Sequence, residues 1–198
     1  DRTLLKMSDK DFDEVIAIDL RAPFICMREA AKSMREQDSG GHIINITSAS
    51  GLVGNFGQTN YAAAKAGLVG FMNALKLEGA KYDVLVNTVA PIAQTRMTEE
   101  ILGEMADKLD PGSVAPAVAY LASEENQRTG ELWSVGGGSV SRVFTGLCEG
   151  YFKHPDHEGP LTIEDVAEHV DDIRVEDEYI VPFSSRDEFA KLGPRFFS

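Results

Sequence analysis

Tyr61 and Lys65 stand four residues apart at the start of a helix-forming stretch, so their side chains share one face. An ammonium one helical turn from a phenol favours the phenolate, which suits a tyrosine that takes up and gives back protons near neutral pH. Taken alone the pair means little, because a surface lysine beside a helix-start tyrosine looks the same. Its setting adds a third group. Ser48 closes the apolar run His42-Ile43-Ile44-Asn45-Ile46-Thr47, thirteen residues ahead of Tyr61. Ligands collect in that place in an open α/β sheet, beyond the carboxyl ends of parallel strands.

Three kinds of element must position these side chains. His42 to Thr47 reads as a buried strand, followed by a loop with Gly51, Gly54 and Gly57 and then by a helix from Tyr61 to Tyr82 that Thr59-Asn60 can cap. Val84 to Val89 predicts a second strand broken by Ala90-Pro91. Glu99 to Leu109 and Val114 to Ser123 predict helices, and Glu131 to Val135 a last strand running into Gly136-Gly137-Gly138. Upstream, Ser8 caps a helix whose apolar positions Phe12, Val15, Ile16 and Leu20 continue to Met34. Asp19 sits beside that apolar face. Pro23 cannot donate to the carbonyl of residue 19, so an opened turn is expected there. Helices alternating with short apolar strands predict an α/β fold, a parallel sheet covered on both faces.

The order strand, Ser48, loop, Tyr61, Lys65 resembles that of the short-chain dehydrogenase/reductase family. So do Asn45-Ile46-Thr47-Ser48-Ala49-Ser50-Gly51, Asn60-Tyr61-Ala62-Ala63-Ala64-Lys65-Ala66-Gly67, Asn87-Thr88-Val89-Ala90-Pro91 and the segment from Thr129 to Gly138. Together they cover about residues 8–140. Gly54 to Gln58, Leu77-Glu78-Gly79 and Ala93 to Thr98 are similar to the dehydrogenase part of the peroxisomal multifunctional enzyme type 2 group and its bacterial relatives, which acts on (3R)-hydroxyacyl-CoA.

The resemblance implies the C-terminal part of a Rossmann-like doubly wound sheet. It also implies NAD(P)-dependent hydride transfer between a hydroxyl and a ketone, with a 3-hydroxyacyl-CoA or 3-ketoacyl-CoA as substrate, NAD preferred and NADP open. Tyr61 would pass the proton, Ser48 would hydrogen-bond the reacting oxygen, and Lys65 would act on Tyr61 and on the nicotinamide ribose. Pro91, Ile92, Ala93, Gln94, Thr95 and Arg96 would line the nicotinamide end, with Thr95 to Leu109 a lid over the substrate. Asp19 stands where the family usually has an Asn whose opened turn feeds a water chain to the lysine; Pro23 frees the same carbonyl, so the relay is expected to survive.

The resemblance further implies a homodimer or homotetramer, packed through the Tyr61 helix and the one around residues 9–36. Small residues such as Ala62, Ala66, Gly70 and Ala74 would permit close packing there. The Gly-rich phosphate loop and the acidic ribose-binding residue of such folds have no counterpart, since Gly51, Gly54 and Gly57 lack the GxGxxG spacing. The chain starts about where the family's fourth strand has ended, so alone it is expected to bind NAD(P) weakly or not at all. Two other readings stay open: a generic carbonyl or 3-oxoacyl reductase, and a catalytically silent fragment serving as a dimerisation module.

Composition narrows the partners. The net charge of −13 over 198 residues repels phosphate backbones, which argues against nucleic acid and anionic membranes. Hydrophobic residues at 43% suffice for a core. Cys26 and Cys148 suggest neither a disulfide framework nor a zinc site. No apolar run approaches the length of a membrane span. A cytoplasmic location is expected, or a peroxisomal one in a eukaryote. Residues 143–198 carry net −8 against −5 for residues 1–142, so a boundary is placed near Arg142, with the tail a partly ordered acidic extension. Within it His154 and His157 read as a solvated turn, no metal site is expected, and Thr162 to Ile173 reads as one helix with a narrow apolar side formed by Val166, Ala167 and Val170.

Overall fold

The computed structural model describes residues 1–94 and 103–197. They fall into two compact units, Asp1–Val143 and Phe144–Ser198. The division comes one residue later than the change in charge suggests, because a strand of the first unit runs on to Val143.

The first unit opens with α1 (Asp9–Ile16), started by a reciprocal cap: Ser8 Oγ accepts from the Asp11 N–H and the Asp11 carboxylate accepts from the Ser8 N–H. Pro23 has no N–H for the Asp19 carbonyl, and the ladder here slips to wider spacing. The Ala22 N–H donates to the Ala17 carbonyl, giving a π turn over Ala17–Arg21. The helix then resumes as α2 (Ala22–Gln37). The opened turn predicted from Pro23 is this π turn.

Strand β1 (Gly41–Ile46) is followed by the short helix α3 (Ala49–Val53), the long helix α4 (Thr59–Gly79) and β2 (Val84–Pro91). Beyond a 3-10 turn at Gly103–Lys108 come α5 (Ala115–Ala122), β3 (Leu132–Gly136) and β4 (Ser139–Val143). The sheet order is β1-β2-β3-β4, the first two pairings parallel and the third antiparallel.

Several sequence expectations change here. Strand β2 does not break at Ala90 but continues through Pro91, opposite Val135. The final glycines do not end the sheet. Gly137 and Gly138, at φ +56° and +82°, form a two-residue turn whose backbone matches strand twist, and β4 folds back on β3. The predicted all-parallel sheet therefore carries one antiparallel edge. Of the helix expected over Glu99–Leu109, the described part is 3-10, and 99–102 lie outside the described residues.

Both faces of the sheet are covered, as alternation along the strands requires. Ile43, Val84, Val86 and Leu132 pack with Met27 of α2 and Met72 of α4. On the opposite face Val89 and Val135 meet Ala117 and Leu121 of α5, with Trp133 stacked on Tyr120.

The second unit holds β5 (Leu147–Cys148) paired antiparallel with β6 (Tyr179–Ile180), and short helices α6 (Pro155–Glu158), α7 (Ile163–Glu168) and α8 (Val170–Ile173) before α9 (Ser185–Phe196). The helix expected over Thr162–Ile173 is two helices, interrupted at His169 (φ −103°, ψ 18°), where the ring stacks on Tyr151. Val166 and Val170 remain largely exposed. His154 is no solvated residue: it is buried, its Nδ1 accepts from the Asp156 N–H, and its Nε2 lies 3.3 Å from the Phe196 carbonyl oxygen.

Lys153 Nζ donates to the Asp165 carboxylate at 2.5 Å, and the Thr162 N–H and hydroxyl donate to the same oxygen. That ammonium, then the Thr162 donors, hold the Asp165 carboxyl down to about 2 against an ordinary 3.8. A carboxyl lowered by folding stabilises the folded form fully above its ordinary value and loses that contribution as pH falls through the folded one. The second unit is therefore expected to lose stability between 3.8 and about 2. Circular dichroism on acid titration should show that limb, and Asp165→Asn should flatten it; an unchanged limb would contradict the assignment.

Candidate active site

Ser48 lies two residues past the end of β1 and is the N-cap of α3, its Oγ accepting from the Ser50 N–H at 3.3 Å. Because that oxygen is used as an acceptor, the hydroxyl hydrogen is left to donate elsewhere. Tyr61 stands in the first turn of α4 and, with Ser48, lines a cleft of 590 Å³. Pro91, Ile92 and Ala93, at the end of β2, line the same cleft. The Ile92 N–H is tied to the Val135 carbonyl at 2.7 Å, so β3 holds this wall.

Two polar side chains fix the entry to α4. Gln58, not Thr59 or Asn60, is the N-cap residue, and it makes no side-chain cap. Its Oε1 accepts from the Ser50 hydroxyl at 2.8 Å and from the Asn55 amide at 3.2 Å, pinning the loop between α3 and α4. Asn60 turns to α1, its amide donating to the Asp11 carbonyl at 3.0 Å, while its Oδ1 accepts from the Tyr61 N–H.

Lys65 lies one turn along α4, with Nζ 5.5 Å from the centre of the Tyr61 ring. It makes two further contacts: the Asp19 carboxylate at 3.2 Å and the Ile46 carbonyl at 3.3 Å. The backbone around it is also held. Thr47, buried at the end of β1, donates its hydroxyl to the Lys65 carbonyl at 2.7 Å. A Cβ on Gly51 would fall 2.7 Å from Lys65 and Ala66 backbone atoms, so α3 touches α4 at this level. Gly67 does the same for the π turn, since a Cβ there would meet Leu20 Cδ1 at 2.6 Å. Gly70, expected to serve close packing, faces open space within this chain.

The structure thus brings Ser48, Tyr61, Pro91, Ile92 and Ala93 to one cleft. It places Lys65 beside that cleft against the Tyr61 ring, lining a neighbouring cavity of 360 Å³ with Pro23 and residues 42–46. Asp19 reaches the site through Lys65. The Gln94 N–H donates to the Leu109 carbonyl at 2.7 Å. Thr95 and Arg96, and with them the start of the expected lid, lie outside the described residues. Thr47, Gly51, Gln58 and Gly67 were not singled out from the sequence as parts of the site. All four lie within the family-like segments, which was the only signal for them.

The donor set suits the nicotinamide end of a dinucleotide: an ammonium and a phenol at the strand ends, beside the apolar wall Pro91–Ala93. Among the described residues, no group of three or more His, Cys, Asp or Glu side chains is placed to hold a metal ion, and no helix is long and apolar enough to cross a membrane.

Residues 1–106 match the sequence profile of the short chain dehydrogenase family. The chain belongs to that family. It is 47% identical over 168 residues to a short-chain type dehydrogenase/reductase of Mycobacterium tuberculosis, covering 84% of this chain and 57% of that protein. Over 137 residues it is 39% identical to the human (3R)-3-hydroxyacyl-CoA dehydrogenase, covering 64% of this chain and 52% of the relative. Among solved structures, full-length peroxisomal multifunctional enzyme type 2 from Drosophila melanogaster superposes with a TM-score of 0.89 at 31% identity, over all of this chain and 36% of the other. The chain therefore spans about half the length of these two sequence relatives.

Proposed function

We propose that the short-chain dehydrogenase fold of this chain serves an oxidoreductase that interconverts a secondary hydroxyl and a ketone on a 3-hydroxyacyl thioester. The observation that carries the reading is the shared cleft: Ser48 and Tyr61 open into it together, and the Lys65 ammonium sits 5.5 Å from the Tyr61 ring centre. The name of the human relative supports a hydroxyacyl-CoA as the substrate. The preference for NAD over NADP follows the same subgroup.

Tyr61 Oη takes the proton of the substrate hydroxyl in oxidation and returns it in reduction. The Lys65 ammonium lies beside its ring. Ser48, its oxygen already accepting from the Ser50 N–H, donates to the substrate oxygen as charge grows there. Tyr61, Lys65 and Pro91 to Gln94, with Thr95 and Arg96, would hold the nicotinamide end, and a bound nicotinamide supplies or accepts the hydride. The apolar wall Pro91–Ala93 lines that side of the cleft.

A second copy of the chain is proposed to pack on the α2–α4 face, giving a homodimer or homotetramer. Support comes from an apolar groove of 340 Å³ lined by Phe24, Met27, Phe71, Leu75 and Tyr82. The peroxisomal relatives support a peroxisomal location in a eukaryotic source, and the cytoplasm otherwise.

A second reading, favoured by the apolar groove on the α2–α4 face, is a silent module that only associates with itself. Titration with NADH and with NADPH, followed by fluorescence, separates the two. Saturable binding, lost in Lys65→Ala, is the expected result. No binding by a stable dimer would favour the silent module.

A further inference from the structure

We propose that Asp19 is a positioning residue that anchors the Lys65 ammonium through a direct ion pair, in place of a contact made by the backbone of the opened turn. The inference rests on the oxidoreductase reading for its purpose, though not for its evidence.

Three observations converge on it. Pro23 produces the π turn Ala17–Arg21, and the extra residue of that turn sets the phase at which Asp19 and Leu20 face α4. Gly67 leaves room for the Leu20 side chain of the turn, since a Cβ there would lie 2.6 Å from Leu20 Cδ1 and the side chain would have to shift. At that approach the Asp19 carboxylate lies 3.2 Å from Lys65 Nζ, with side chains 28% and 14% exposed. The pair is thus sheltered enough to be screened less than a surface bridge.

The geometry defines what the pair does. A lysine is a point charge on a flexible four-carbon stem, and an unanchored ammonium samples many positions. Here the Asp19 carboxylate pairs with the ammonium from the π turn, 3.2 Å from Nζ, while the Ile46 carbonyl accepts one of its N–H groups from the end of β1. The charge is held beside the Tyr61 ring, 5.5 Å from its centre. A carbonyl alone restrains this position less, since the carboxylate adds the attraction of opposite charges in a partly sheltered setting. Asp at position 19 therefore serves as the anchor of the site's cation.

Amine modification of the folded chain, read by mass spectrometry residue by residue, tests this without turnover. Lys10 and Lys32, paired on the surface with Glu14 and Glu29, are internal references. Asp19→Asn should raise the rate at Lys65 about fivefold relative to them, and Asp19→Glu should restore it to within about twofold. An unchanged Lys65 rate in Asp19→Asn overturns the proposal. Should Asp19→Asn unfold the chain, all lysines would react together. The unmutated protein then decides, through NMR of the 15N-labelled lysine ammonium groups: an order parameter for Lys65 Nζ well above those of Lys10 and Lys32 supports the anchor, and one equal to theirs overturns it. Assay of a 3-hydroxyacyl thioester with NAD runs beside this. With activity present, Asp19→Asn should lower kcat and leave KM for the thioester unchanged. With no activity in the unmutated protein the oxidoreductase reading fails, while the labelling result still settles the anchor.

Discussion

Replacing Tyr61 by Phe should lower turnover of a 3-hydroxyacyl thioester by about 10²–10⁴-fold, the range removed with a positioned acid/base group. The change deletes one oxygen and keeps the ring, so the contact between ring and Lys65 ammonium survives. Helix α4 is unaffected, because the N–H and carbonyl of residue 61 remain. NADH affinity should stay within about twofold. That split is diagnostic: loss of turnover with affinity intact places the effect in the chemical step. A Tyr61→Phe protein that turns over at the unmutated rate would remove the phenol from the mechanism, and with it the proposed function.

The second large effect is structural. Gly136 closes β3, where its backbone passes so near Ile92 that a Cβ would lie 2.1 Å from the Ile92 carbonyl oxygen and 2.8 Å from Ile92 Cβ. Backbone atoms cannot rotate away as a side-chain end can. Gly136→Ala must therefore push Ile92 off β3 and break its N–H bond to the Val135 carbonyl. Overpacking with a lost hydrogen bond costs about 2–4 kcal/mol. Since Pro91, Ile92 and Ala93 form one wall of the cleft, ligand affinity should fall as well. Thermal unfolding of Gly136→Ala beside Gly70→Ala checks the claim, because nothing lies within 4 Å of a Cβ on Gly70 and a helical Gly-to-Ala change is neutral or favourable. Equal melting temperatures for the two variants would show that the close approach does not matter.

Much of the site was legible because its signals are local. The spacing of Tyr61 and Lys65 places both on one helical face, and a proline four residues after Asp19 announces a missing hydrogen bond whatever the tertiary context. The apolar alternation of β1, β2 and β3 announced the sheet. What was not legible depends on residues far apart in sequence. The ion pair of Asp19 with Lys65 requires two helices to meet, and the Thr47 bond to the Lys65 carbonyl requires a strand end to reach across to α4. Strand β4 was missed for another reason: Ser139 to Arg142 are exposed, so no buried face marks it, and only the Gly137-Gly138 turn could have shown the hairpin. His154 sat in an acidic, polar stretch, yet Phe152 and the distant Phe196 bury it.

The order of strands also bears on how quickly this unit reaches its native state. Gly41 pairs with Val84, and Thr88 with Leu132. Each parallel pairing thus closes a loop of about forty residues, an entropic barrier paid before any ladder bond forms. The β3–β4 hairpin has no such delay and can form within microseconds. The cleft residues Ser48 and Pro91–Ala93 lie just past β1 and at the end of β2, so the site is complete only once both long loops have closed.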